Sequence, residues 1–274
     1  MFFTINVNNF KNGIKDILFG MLIGASVIIP GLSGGTTAII LGIYDEILSY
    51  CNRIGKQTLT SIKYLLPYAF GGLIGIIVAS APIKYILKSH QLIFSYFVIG
   101  ILVGGAVVLK PSRKMPLPKR IMLSFTGAAP VIIQFIINTR LKLEIENNVL
   151  MIILVGLLSA VALILPGISL TNILVMFNCY ETIIFSIANF NCKILIIYFL
   201  SLIIGIIMSI KILTSLYYKN RENINTVLFG MVLASALQVY NGLPQRGNFL
   251  PCILLFFVGF LVTFIIIFKK DTDR

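Results

Sequence analysis

Histidine occurs once in this chain, as His90, and a histidine-based metal site is excluded. The four cysteines, Cys51, Cys179, Cys192 and Cys252, have no CxxC spacing, which rules out a metal or disulfide framework built on them. Acidic residues number nine, and no ExxxE pair falls inside an apolar run. Charge of either sign is scarce, at 11% of 274 residues against roughly 25% in a soluble domain. No ATP-binding motif is present. These absences leave no metal, no cofactor and no catalytic set to assign.

What remains is apolar. Hydrophobic residues make up 58% of the chain, and the mean hydropathy is +1.00. Runs near 20 residues recur, long enough to cross about 30 Å of hydrocarbon, so the fold class is an all-α polytopic membrane protein. The net charge of +13 does not point to nucleic acid, because Lys and Arg lie between the apolar runs rather than in an aromatic-interleaved stripe. They read as topology signals. The segment Met1–Ile17 lacks the basic start, apolar core and cleavage site of a signal peptide. Phe2, Phe3, Ile5, Val7 and Phe10 suit either a short helix in the headgroups or a disordered tail.

The most informative pattern is a motif that occurs twice, 136 positions apart. Gly20 to Leu48 reads GMLIGASVIIPGLSGGTTAIILGIYDEIL, and Gly156 to Ile184 reads GLLSAVALILPGISLTNILVMFNCYETII. Pro30 falls on Pro166, Gly31 on Gly167, Ser33 on Ser169, Thr36 on Asn172 and Tyr44 on Tyr180. Proline lacks an N–H and breaks a helix. Glycine permits the turn and a close backbone approach, and Ser33 and Ser169 are good N-caps for a second arm. Gly34, Gly35, Thr36 and Thr37 would then place free N–H groups, two hydroxyls and the positive end of a helix at one point, which suits a phosphate or carboxylate. A single such motif reads as a packing kink. Two copies read as a binding site shared by two halves. The second copy is less open, with Leu170 where the first has Gly34, although Thr171 and Asn172 keep it polar.

Six plain spans are expected at roughly 65–86, 91–109, 121–138, 193–213, 225–241 and 249–268. The motif regions, roughly 17–49 and 148–187, split at Pro-Gly into two arms too short for full spans, which suits re-entrant hairpins. If each hairpin enters and leaves on one side, sixteen of the 22 Lys and Arg collect on the N-terminal side, among them Lys15, Arg53, Lys110, Lys211 and Arg221. One crossing per motif region would split the same 22 residues twelve to ten. The positive-inside rule prefers the first arrangement and puts both termini in the cytoplasm. Two short full spans would satisfy the count as well as a re-entrant hairpin. Each half then holds one hairpin and three spans, and the odd number inverts the second half. Repeat 1 covers about 11–138 and repeat 2 about 148–270, within a single membrane domain. The segments at 71–80 and 201–210, and those at 97–109 and 227–239, echo each other at an offset of 130. Such repeats place a site near the midplane and work by rocking of the halves.

Few other polar residues fall at span depth. Gln134 and Gln238 either line the cavity or make helix–helix hydrogen bonds. Asp45, Glu46 and Glu181, at the ends of the second arms, either carry a coupling proton or are solvated helix ends. The loop KPSRKMPLPKR at 110–120 is a basic connector suited to anionic lipid heads.

The first motif, with PGLSGGT followed by LGIY, and the second copy ALILPGIS resemble the polyprenyl-phosphate (undecaprenyl-phosphate) translocase family. The likeness covers nearly the whole chain. It implies a flippase of the bacterial inner membrane that returns undecaprenyl phosphate, the lipid carrier of wall precursors, from the outer to the inner leaflet. Carried over, Pro30, Gly31, Ser33, Gly34, Gly35 and Thr36 match the first motif, and Pro166, Gly167 and Ser169 match the second. The family pattern leads us to expect a polar residue at 27 and glycines at 170 and 178. Val27, Leu170 and Asn178 stand there instead and weaken the expected phosphate contact of the second hairpin. The expected partners are a lipid phosphate and membrane lipids, with a proton or sodium ion as coupling ion and no nucleic acid. One rival is a small-anion secondary transporter. The other is a polyprenyl-diphosphate phosphatase, but Gly34-Gly35-Thr36 replaces the arginine and serine that would follow its motif serine, and no intramembrane arginine is at hand to stabilise a phosphoryl transition state.

Overall fold

A computed structural model describes residues 13–54, 56–140, 148–241, 243 and 249–272. The N-terminal stretch 1–12 lies outside the described residues, as do Lys142, Arg246 and Arg274 of the charge count. The described residues form twelve helices and no strand: α1 (Gly13–Ile28), α2 (Gly34–Ile40), α3 (Tyr44–Asn52), α4 (Thr58–Ser89), α5 (Gln91–Val108), α6 (Leu117–Arg140), α7 (Val149–Ile164), α8 (Leu170–Met176), α9 (Tyr180–Ala188), α10 (Cys192–Lys219), α11 (Arg221–Asn241) and α12 (Phe249–Thr272). They fall into two successive runs of six. The first three helices of each run have the same lengths, 16, 7 and 9 residues.

Six of the described helices, α4, α5, α6, α10, α11 and α12, are long and apolar enough to cross a membrane, and they coincide with the six expected spans. Their outer faces carry exposed Leu66, Phe70, Ile77, Ile203, Ile207 and Phe257. An apolar surface of this extent is stable only against lipid. The protein is thus a multi-pass membrane protein.

The breaks follow from backbone chemistry. α1 stops before Pro30, and Gly31 takes φ +80, a region that suits a residue without Cβ. α7 stops in the same way before Pro166, with Gly167 at φ +86. A further break follows in each motif, where the sequence suggested one continuous second arm. Gly42 donates to the Ile39 carbonyl at 2.9 Å and Ile43 to that of Ala38 at 3.0 Å, closing a Schellman turn around Gly42 at φ +67. Asn178 and Cys179 repeat the pattern on Val175 and Leu174, at 3.0 and 2.8 Å, with Asn178 at φ +54. Asparagine is among the few residues that tolerate this region, so the departure from glycine at 178 keeps the turn. Asp45, Glu46 and Glu181 accordingly begin α3 and α9 rather than end an arm.

Packing joins the runs. α1 pairs with α4 and α7 with α10 inside each run, whereas α5 pairs with α12 and α6 with α11 across them. The cross pairs meet through reciprocal glycines. A Cβ on Gly127 of α6 would strike the Val227 carbonyl of α11, and one on Gly230 of α11 would strike the Ser124 carbonyl of α6. Gly100 and Gly259 do the same between α5 and α12. Membrane helices associate through such close backbone approach. The main core gathers Leu32, Ile39, Leu102, Leu228, Met231 and Val232 from α5, α11 and the first motif. The second motif supplies Leu174, Cys179 and Ile183 to a smaller cluster against α7 and α10.

In the α1–α4 seam, a Cβ on Gly24 would collide with the Gly72 carbonyl, whereas one on Gly72 would make an ordinary contact of 3.7 Å with the Gly20 carbonyl. Gly24→Ala should therefore lower the unfolding free energy in detergent by about 1–3 kcal/mol. Gly72→Ala should stay within about 0.5 kcal/mol of the parent chain. Thermal melts of the two variants check this.

Candidate functional site

Ser33 is the N-cap of α2, as its place in the motif predicts. Its backbone is extended, and its Oγ accepts from the Thr36 N–H at 3.2 Å. The same oxygen accepts from the Gly167 N–H at 3.2 Å and lies 3.0 Å from Thr36 Oγ1. A hydroxyl offers two lone pairs and one proton. Ser33 therefore spends its whole capacity inside the protein, one lone pair of it on the other motif. The Thr37 N–H bonds to the Ser33 carbonyl at 3.1 Å, leaving the Gly34 and Gly35 N–H groups as the orphan donors of the first turn.

The two motifs meet backbone to backbone. A Cβ on Gly35 would sit 2.7 Å from the Ile164 carbonyl and 3.2 Å from the Pro166 nitrogen, so only glycine admits this approach. Tyr44 donates from its hydroxyl to the Ile164 carbonyl at 3.1 Å, satisfying the last turn of α7. Both Gly-Pro turns rest on α11, with Gly31 against Val239 and Gly167 against Met231. Between the motifs lies a narrow cleft of about 10 Å³, whose polar lining is Ser33, Gly34 and Ser169 among Val27, Leu163 and Leu170.

The copies are unequal. Gly35, Thr36 and Thr37 are buried, and Thr37 Oγ1 has no hydrogen-bond partner. In the second copy Ser169 holds the N-cap position of α8 without a side-chain cap bond, so the expected cap is not made. Thr171 is exposed, and Ser169, Leu170 and Asn172 are half-buried. Pro166 is fully buried and Pro30 exposed. Thr171 stands where the first copy has Gly35, so α8 lacks the glycine that seats α2, and it stays near the surface.

Gln134 is brought to the site. It is 3% exposed, its Nε2 donates to the Ser169 carbonyl at 3.4 Å, and its Oε1 has no partner. Gln238 is half-buried late in α11. Asp45 and Glu46 are exposed but are not merely solvated helix ends. Asp45 pairs with Arg221 and accepts from the Tyr217 hydroxyl at 2.8 Å, while Glu46 accepts from Tyr64 at 2.5 Å. Glu181 is exposed at the start of α9. Sequence reasoning missed the roles of Tyr44, Tyr217 and Arg221. The alignment of Tyr44 with Tyr180 was the one signal for the first, whereas Arg221 and Asp45 stand 176 residues apart with nothing local to link them.

Chemically, this arrangement offers neutral N–H and hydroxyl donors to an anion. No group of three or more metal-ligating side chains is present among the described residues. The family model for undecaprenyl phosphate translocase-like proteins matches residues 23–246. A polyprenyl-phosphate transporter of Vibrio cholerae is 29% identical over 244 residues, covering 84% of this chain and 78% of the relative. A second of that name, from Staphylococcus aureus, is 28% identical over 267 residues, covering 90% and 94%. No solved structure matches the chain.

Removing the Ser33 hydroxyl deletes a helix cap, worth about 1 kcal/mol, and strands the Gly167 N–H, at a cost of about 1–3 kcal/mol. Ser33→Ala should thus destabilise the chain by about 2–4 kcal/mol, and Ser169→Ala by no more than about 0.5 kcal/mol. Denaturant titration of both variants in micelles measures the difference.

Proposed function

The chain belongs to the undecaprenyl phosphate translocase-like family, and we propose that it moves a polyprenyl phosphate between the leaflets of a bacterial cytoplasmic membrane, with the phosphate held where the two motifs converge. The observation that carries this reading is the single hydrogen bond from the Gly167 N–H to Ser33 Oγ, which joins the two breaks at the polar cleft. Parting the motifs frees the Gly167 N–H and, with Thr36 Oγ1 donating to Ser33 Oγ, lets the Ser33 hydroxyl turn its proton outward beside the orphan N–H groups of Gly34 and Gly35. A phosphate can take all of them at once, because its oxygens accept several donors. α2 has seven residues, so its dipole adds little, and recognition falls to the N–H groups and hydroxyls. Thr37, Ser169, Thr171 and Asn172 supply further polar atoms around the head. Pro30, Gly31, Pro166 and Gly167 shape the turns.

The two runs of six helices act as inverted repeats, about 11–138 and 148–270. α1 to α3 and α7 to α9 form re-entrant hairpins entering from opposite faces, and both termini lie in the cytoplasm. The halves rock against each other while the prenyl tail remains in lipid beside the apolar spans. Transport runs from the outer to the inner leaflet, driven by the lipid's own concentration difference or by a coupled proton or sodium ion. The names of the two relatives support lipid phosphate as cargo over a small soluble anion. The neutral donor set supports transport over phosphoryl transfer, which needs charge stabilisation at the transition state.

Reconstitution in liposomes with a leaflet assay for a polyprenyl phosphate tests the proposal. The parent chain should equilibrate the lipid between leaflets without releasing inorganic phosphate from the diphosphate. Gly34→Val fills the cleft, its Cβ meeting only the Ile23 and Val27 side chains. It should slow movement by about tenfold or more while costing stability no more than about 1 kcal/mol. Absence of movement in the parent chain, or equal movement in the variant, defeats the reading.

A further inference from the structure

A half-open cavity of about 140 Å³ lies away from the motif cleft, at the other end of α2, and holds a built anion receptor. Its polar wall is Tyr44 and Asp45 of α3, Tyr217 of α10, and Arg221 and Asn225 of α11; Ile39, Leu109 and Leu228 supply an apolar wall. Arg221 grips Asp45 through Nη2, and its Nε donates to the Tyr217 hydroxyl at 3.1 Å. That hydroxyl in turn donates to Asp45 at 2.8 Å. Asn225 turns a buried Oδ1 to no partner. Resting on the function proposed above, we infer that this cavity is a second phosphate-binding site of the carrier, in which Arg221 receives the phosphate monoester head by exchanging Asp45 for it.

Four observations converge on this. First, the occupant in the present structure is the chain's own carboxylate, an anion held as a phosphate would be. Guanidinium forks match phosphate at least as well as carboxylate, and a dianion carries twice the charge. Second, the side chains of the pair are 61% and 46% exposed, and exposed pairs hold weakly, so a phosphate can displace the carboxylate. Third, Asp45 can leave. It sits in the first turn of α3, three residues past Gly42 at φ +67, and the neighbouring Glu46 ties the same helix to Tyr64 of α4. Fourth, the site is close to the cleft. α2 spans seven residues, about 10 Å, with Ser33 and Gly34 at one end and Ile39 and Gly42 at the other.

The site is also one-sided. At the 130-residue offset of the spans, Arg221 corresponds to Gln91, Tyr217 to Leu87 and Asn225 to Ser95. The position in the first run that matches Arg221 therefore carries no guanidinium, and Glu181, the counterpart of Asp45, is exposed. A receptor on one face only gives the phosphate a preferred place to arrive on the side where the charge pattern places the cytoplasm.

The test is equilibrium binding to the full-length chain in detergent, with a short-chain prenyl monophosphate and inorganic phosphate as probes. Asp45→Asn removes the competing anion and should bind the prenyl monophosphate about threefold to tenfold more tightly. Arg221→Gln should bind it about tenfold or more weakly. A structural ion pair predicts the opposite sign for Asp45→Asn, namely equal or weaker binding. Asp45→Ala is read beside it in case the amide misfolds the turn. A gain for both probes assigns recognition to the head, and a gain for the lipid alone assigns it to head and tail together; either supports the inference. No gain in either Asp45 variant, with lipid movement by the parent chain intact, overturns this inference alone. No binding of prenyl monophosphate by any of these chains, with no lipid movement, overturns it together with the function on which it rests.

Discussion

A helix that breaks among apolar spans must find partners for the backbone groups it releases, because hydrocarbon supplies none. This constraint organises the molecule. The break in the second motif is answered entirely by the first half. Ser33 Oγ takes the Gly167 N–H, the Tyr44 hydroxyl takes the Ile164 carbonyl, and Gln134 takes the Ser169 carbonyl. The break in the first motif closes on itself, through Ile29 to Ser26 at 3.1 Å and Leu32 to Ile29 at 3.2 Å. The duplicated motif thus gives two turns of the same shape with different dependencies. One is self-contained, and the other leans on its neighbour.

That asymmetry explains the different settings of the two copies. α2 is buried over most of its length in the core shared with α5 and α11. α8 buries only Leu174, in the smaller cluster with α7 and α10, and its Leu170 and Ile173 lie half-buried at the edge of the main core. Gly35 lets α2 approach the second motif's backbone, whereas its counterpart in the second copy is Thr171, which stands exposed on α8. Reciprocal glycines between α6 and α11, and between α5 and α12, clamp the two runs together at backbone distance. The frame is tightly packed, and the second hairpin is the element with the least to lose when its contacts change.

Much of this was legible in the chain. The six spans appear as hydropathy runs because burial in lipid demands them, and the Pro-Gly breaks appear because proline cannot donate. The N-cap at Ser33 follows from its place one residue before Gly34. The second break was harder to see. Gly42 lies within the quoted LGIY, but its counterpart is Asn178, and only the positive φ of both reveals the shared turn. The contacts that define the site were not legible at all. Ser33 meets Gly167 across 134 residues, and Asp45 meets Arg221 across 176, distances over which no periodicity or spacing carries information. The charge count placed Arg221 on the N-terminal side without pairing it with Asp45.

The strength of the bond between the motifs fits a carrier better than a fixed scaffold. A neutral hydrogen bond contributes only about 0.5–1.5 kcal/mol net, so Ser33 and Gly167 can part on thermal energy once other donors or acceptors are offered. Left apart without a ligand, they would strand the Gly167 N–H at about 1–3 kcal/mol, while Ser33 Oγ keeps its bonds to Thr36. Opening is therefore unfavourable when the cleft is empty and becomes favourable when a phosphate satisfies both groups. A carrier needs this coupling of opening to cargo, since a cleft that opened freely would leak ions. A full exchange of roles between the copies cannot supply it, because Thr171 stands where Gly35 gives α2 its close seat. The motion consistent with the packing is movement of the second hairpin over a first hairpin that stays in the core. Under the proposed function, the phosphate stands in for the bond between Ser33 and Gly167.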